Sequence, residues 1–179
     1  MRNKRYTIKN KKERGFSLIE LILYIGLVAI FISGAILFAW DIIYGGVKSG
    51  VEREVNQNLR LASKRIMYEI RNASGINSVG ASDLCLVLST TAHNPTRIYV
   101  SGGRLMMAWG GGSSDCTGMT NDLPLTSNQV SVSGLTFTDR SSGVSSLNIE
   151  FALTVSSAGT RQEWQKSSVF SGSAELRSN

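Results

Sequence analysis

The segment KKERGFSLIELILYIGLVAIF, residues 11–31, places a carboxylate, Glu20, near the start of an otherwise uncharged apolar run. From Phe16 to Trp40 the chain holds 25 residues dominated by Leu, Ile, Val, Ala and aromatics, and Glu20 carries the only charge among them. At ~1.5 Å per residue such a run makes a helix of roughly 37 Å, long enough to cross a bilayer. A charge within a bilayer costs about 2.5–3.5 kcal/mol on insertion scales, so Glu20 calls for a cationic partner.

The charge distribution supports the same reading. The 179-residue chain has a formal net charge of +6, and residues 1–15 hold seven Lys and Arg against Glu13, which accounts for all of it. A basic block directly before a membrane span holds the N-terminus in the cytoplasm and sends the chain beyond Trp40 to the far side. The rest of the chain sums to about zero and shows no later basic patch with interleaved aromatics. No direct nucleic-acid binding is therefore expected.

A secretory signal has a 7–15-residue apolar core followed by a small-residue cleavage site. Here the core is longer, runs on to Trp40-Asp41, and the small residue, Gly15, stands before it. The octet Arg14-Gly15-Phe16-Ser17-Leu18-Ile19-Glu20-Leu21, behind a short basic leader and ahead of the apolar run, resembles the class III signal of type IV pilins and type II secretion pseudopilins. That resemblance implies a substrate of prepilin peptidase, cut between Gly15 and Phe16 and methylated on the new amine of Phe16. It also implies that Glu20 pairs with the Phe16 amine of an adjacent subunit and so fixes the register of assembly. The glycine fits the cut, because it brings no side chain into a narrow active site.

Beyond Asp41 the pattern becomes amphipathic. Val47, Val51, Val55, Leu59, Ala62, Ile66 and Ile70 recur at spacings of three and four, with charges of mixed sign between them. One helix from Phe16 to Asn72 is expected, kinked at most near Gly45-Gly46 or Gly50, and ended by Ala73-Ser74-Gly75 with the glycine in a left-handed cap. Six strand-like segments come after it: Leu84 to Leu88, Arg97 to Val100, Arg104 to Trp109, Val130 to Phe137, Leu147 to Val155 and Glu163 to Phe170. Ser101-Gly102-Gly103 suits a hairpin turn.

The organisation that results is a leader at 1–15, a transmembrane helix at 16–40, its amphipathic continuation at 41–72 and an extracytoplasmic β domain at 73–179. The fold class is α+β, a long helix packed on a small antiparallel β domain. The stretches LRLASKRIMYEIRNASGI (59–76), PLTSNQVSVSGLTFTD and the closing VFSGSAELRSN resemble the minor pilins and the J-type minor pseudopilin.

Catalytic and metal chemistry find little footing. His93 is the only histidine, Cys85 and Cys116 stand 31 apart with no CxxC, and no GxSxG, SxxK or Walker A pattern occurs. Gly110-Gly111-Gly112 lacks the Lys-Ser or Lys-Thr of a phosphate loop and reads as a turn. Asn72-Ala73-Ser74 matches a glycosylation sequon at a helix end. Two cysteines outside the cytoplasm suggest a Cys85–Cys116 disulfide; the bland alternative is a buried thiol at Cys85 and an exposed one at Cys116. No cofactor or metal is expected.

The sequence thus points to a non-enzymatic minor pilin or pseudopilin of a type IV pilus-like or type II secretion filament, working in filament assembly or its tip complex. Expected partners are prepilin peptidase, other pilins or pseudopilins, the cytoplasmic membrane and the inner-membrane assembly platform. The rival reading is a single-pass anchored extracytoplasmic binding module or exoenzyme unrelated to filaments.

Overall fold

In a computed structural model the described residues are 15–111, 115–143, 146–159 and 165–176. The expected leader, apart from Gly15, lies outside them, as do Gly112, the start of the last expected strand at Glu163, and Arg177 of the closing stretch. The chain divides into two compact units, Met1–Tyr44 and Gly45–Asn179, with the division falling inside the first helix.

That helix, α1 (Leu18–Asn72), runs unbroken for 55 residues, through Gly45, Gly46 and Gly50 where a kink was admitted. In the first unit its apolar side chains are almost all exposed. Phe16, Ile19, Ile30, Phe31 and Phe38 are each two-thirds or more exposed. In the second unit the amphipathic pattern is used. Val55, Leu59, Ala62, Ile66 and Ile70 are buried, whereas Val51 is half-buried and Val47 is exposed.

The end of α1 departs from expectation. Gly75 takes no left-handed cap: the chain passes without a turn from Asn72 into β1 (Ala73–Val79), and Gly75 pairs with Val87 inside that strand. Extending at once buries Ala73 against the core and pairs it with Leu88, which a reversal at Gly75 would forgo. Irregular register between Ala73 and Gly75 and between Ile76 and Ser78 breaks the two-residue alternation, so β1 was not among the expected strands.

β1, β2 (Asp83–Leu88), β3 (Thr96–Ser101), β4 (Arg104–Trp109) and β5 (Asn121–Pro124) form one antiparallel sheet in chain order. β5 was also missed, because Asn-Asp-Leu-Pro has no buried position and is poor in strand formers, as an edge strand can be. β6 (Val130–Asp139), β7 (Asn148–Ser157) and β8 (Ser167–Glu175) form a second sheet. The last strand begins four residues later and ends five later than expected. The β3–β4 hairpin turns on Gly102 and Gly103 with φ of 56° and 73°, the left-handed pair of a type I′ turn.

Backbone bonds from β6 tie the sheets together. Val132 N donates to Gly103 O at 2.7 Å and Phe137 N to Ala81 O at 3.1 Å, so β6 crosses the turns of two hairpins of the first sheet. Leu84, Leu86, Ile98 and Leu105 from that sheet, and Ile149, Phe151, Leu153 and Val155 from the second, share one core with the α1 residues named above.

A polar lock joins α1 to this core. Asn58, 7% exposed among apolar positions, accepts the N–H of Ser127 on Oδ1 at 2.8 Å and donates from Nδ2 to Glu54 Oε1 at 2.8 Å and Glu54 O at 3.0 Å. Ser127 Oγ donates to the same Glu54 Oε1 at 3.0 Å. Lys166 pairs with Glu52 at 3.1 Å, and Ser168 Oγ donates to Asn56 Oδ1 at 3.0 Å, so β8 and its approach are tied to the helix as well.

Candidate functional site

Residues 15–17 precede the first helical turn and are exposed. Ser17 caps the helix: its Oγ accepts the N–H of Glu20 at 3.3 Å, and its carbonyl accepts that of Leu21 at 3.2 Å. These bonds satisfy donors that a helix start leaves open, and they explain why α1 begins at Leu18 rather than Phe16. Ser17 and Glu20 have the Ser-x-x-Glu spacing of a capping box, a signal in the sequence that the reading of Glu20 alone passed over. In the first turn, the carboxylate also meets the positive end of the helix dipole.

Chemically, this end offers three things. The Gly15–Phe16 peptide bond lies outside regular structure, and among the described residues no atom beyond its chain neighbours stands within 4 Å of where a Gly15 side chain would begin. Phe16 is 76% exposed. Glu20 is an exposed carboxylate with no ion-pair partner among the described residues, set among the exposed Leu18, Ile19 and Leu21. The helix running on from it is long and apolar enough to cross a membrane.

The other singled-out residues lie in the second unit. Cys85 and Cys116 are joined by a disulfide with their Cα atoms 6.0 Å apart, and both are buried. Cys85 sits on the face of β2 that carries Asp83, opposite to Leu84 and Leu86, so the bond holds the β4–β5 loop over the outer side of the first sheet. His93 stacks on Trp109 at 5.4 Å, and no group of His, Cys, Asp or Glu fit to hold a metal occurs among the described residues. Gly110 serves the fold: its N–H donates to Pro95 O and its carbonyl accepts from Thr120.

On that outer side Arg97 grips Asp83 with Nε 3.0 Å from both carboxylate oxygens, and lies over the Tyr99 ring at 4.8 Å. Tyr99 in turn donates to Asp122 Oδ2 at 3.0 Å. The bond to Asp83 raises the Arg97 pKa against a smaller opposing effect of burial. Burial, then the Asp122 bond, raises that of Tyr99. The group bridges β2, β3 and β5, and every charge in it has a partner.

Among known protein families, residues 10–36 match the model of the prokaryotic N-terminal methylation motif. No curated protein and no solved structure matches the chain. The matched segment contains Gly15, Phe16, Ser17 and Glu20, and it ends within α1.

Proposed function

We propose that this chain, which carries a class III prepilin signal at the head of a long helix and an antiparallel β domain, is a minor pilin or pseudopilin. In this reading it enters the cytoplasmic membrane with its N-terminus inside, and prepilin peptidase cuts between Gly15 and Phe16. The Phe16 amine is methylated, and the mature subunit joins a type IV pilus-like or type II secretion filament. The role is structural rather than enzymatic. The observation that carries it is the methylation motif at the start of a helix whose first half, among the described residues, exposes its apolar side chains.

The same reading gives Glu20 its chemistry. After the cut, the Phe16 amine of the same chain lies about 6 Å along the helix axis and neutralises the carboxylate only in part. A neighbouring subunit's amine can approach to hydrogen-bond distance, and in low dielectric such a contact is strong enough to fix axial register.

Replacing Glu20 by Val tests this, since Val costs less in lipid than Glu. Glu20→Val is expected to leave insertion, helix content and removal of residues 1–15 intact while reducing crosslinking to neighbouring pilins and filament yield. Normal crosslinking and normal yield in the variant would reduce Glu20 to a tolerated interfacial residue.

A further inference from the structure

Three of the four sheet edges are guarded against further pairing. β6, one edge of the second sheet, gives its N–H groups at Val132 and Phe137 to Gly103 O and Ala81 O. β1 is bent by two register irregularities, and β5 is four residues long and ends in Pro124. β8 has none of these guards. It pairs with β7 alone and without a bulge, and its nine residues, SSVFSGSAE, hold no proline and no charge before Glu175.

The ladder decides which backbone groups of β8 are left over. Leu176 N donates to Leu147 O at 2.9 Å and Ser157 N to Lys166 O at 2.8 Å, at the two ends of the β7–β8 register. Bonded pairs alternate along an antiparallel ladder, so the even-numbered residues of β8 bond to β7. Ser167, Val169, Ser171, Ser173 and Glu175 therefore turn their N–H and C=O groups outward. None of these groups has a hydrogen-bond partner among the described residues. The same five residues are exposed, Val169 to 66%. The inner side of the strand is engaged: Ser168 Oγ bonds to Asn56, and Ala174 is buried.

We infer that this edge receives an extended segment of a different chain, added antiparallel to β8 as a fourth strand of the second sheet. The row of open backbone groups selects a strand as the occupant, since a helix spends its N–H and C=O groups internally along its length. The side chains set its chemistry. On the inner face the half-buried Phe170 ring lies over Gly172, 2.9 Å from where a side chain would begin, and favours an apolar neighbour. On the outer face Val169 favours another. Glu175, exposed and without an ion-pair partner among the described residues, favours a Lys or Arg at that end of the segment. A second copy of this chain fits poorly. β8 paired antiparallel with itself has its two-fold axis normal to the sheet, and α1, which is tied to the inner face of β8, is turned end for end by that axis. Copies anchored in one membrane by the same end of α1 run the same way. Only the case against a second copy depends on membrane anchoring; β8 lies outside the methylation motif, and its open edge does not depend on the filament reading.

The test places a benzophenone side chain at Val169 or Ser173, and at Thr138 on β6 as a control, in the full chain in its native membrane. Expected is crosslinking from 169 and 173 but not 138, to one other chain, with the residue reached from 169 about four positions C-terminal to that reached from 173. Ser171→Pro removes an outward N–H and no ladder bond, so it is expected to lower the yield about tenfold while the disulfide and thermal unfolding are unchanged. Ser171→Ala, which keeps that N–H, is expected to retain the yield. Should the proline unfold the chain, Val169→Lys, read from the probe at 173, leaves every backbone group in place and is expected to give the same loss by guarding the edge with charge. Crosslinking to a second copy, contacts that run in the same sense as β8, equal yields from the proline and alanine variants, or no crosslink at all would overturn the inference. So would slow amide exchange at 169, 171 and 173 in the isolated detergent-solubilised chain, which would show the edge already closed.

Discussion

Asn58→Ala should loosen the attachment of α1 to the sheets more than any exposed change on the helix. The substitution strands the Ser127 N–H, whose acceptor at 2.8 Å is Asn58 Oδ1, and takes one of two donors from Glu54 Oε1. A buried donor left without a partner costs about 1–3 kcal/mol, and losing one hydrogen bond to a carboxylate that keeps another adds about 1 kcal/mol. The total is about 2–4 kcal/mol. For a unit of this size each kcal/mol moves the midpoint by about 3–4 °C, so Tm should fall by roughly 6–16 °C in calorimetry of the detergent-solubilised chain. Asn58→Asp separates the two halves of the network. It keeps an acceptor for Ser127 but sets a second carboxylate against Glu54. Its folded-state pKa then lies above the unfolded value, so the defect should be largest at neutral pH and should shrink as pH falls through the carboxylate range. A loss under about 1 kcal/mol for Asn58→Ala, or a pH profile for Asn58→Asp that parallels the wild type, would show that the lock contributes little.

Gly15→Val should block removal of residues 1–15, read by mass spectrometry of the membrane-extracted protein; a wild-type mature N-terminus other than Phe16 would remove the basis for the proposed processing. Ser17→Ala should cost about 1 kcal/mol of local helix stability, seen as faster amide exchange at 20 and 21 with unchanged insertion. Replacing both cysteines by Ala should destabilise the β domain by about 3–4 kcal/mol through the freed loop between Cys85 and Cys116. Two free thiols in the denatured, unreduced wild-type protein would refute that bridge.

The features legible in the sequence and those hidden from it divide along the range of the interactions involved. The buried face of α1 was legible because Val55, Leu59, Ala62, Ile66 and Ile70 repeat every three or four residues, and the helix needs only that period to find its inner side. Four central strands were legible from runs of apolar and β-branched residues bounded by turn formers. β1 and β5 were not, since one is bulged out of alternation and the other has no buried face to mark it. The methylation motif was legible because Gly15, Phe16 and Glu20 stand close together at the head of the apolar run, whereas the cap by Ser17 was passed over although Ser-x-x-Glu marks it. The line of exposed cations along α1, Arg53, Arg60, Lys64 and Arg71, was hidden for the opposite reason. Its sign emerges only after Glu52 has met a lysine from the approach to β8 and Glu54 a serine 73 residues away, and neither pairing has any local signature. A net charge near zero over residues 16–179 thus conceals an uneven surface, because folding takes Glu52, Glu54 and Glu69 into internal contacts and leaves Arg53, Arg60, Lys64 and Arg71 exposed along one side of α1.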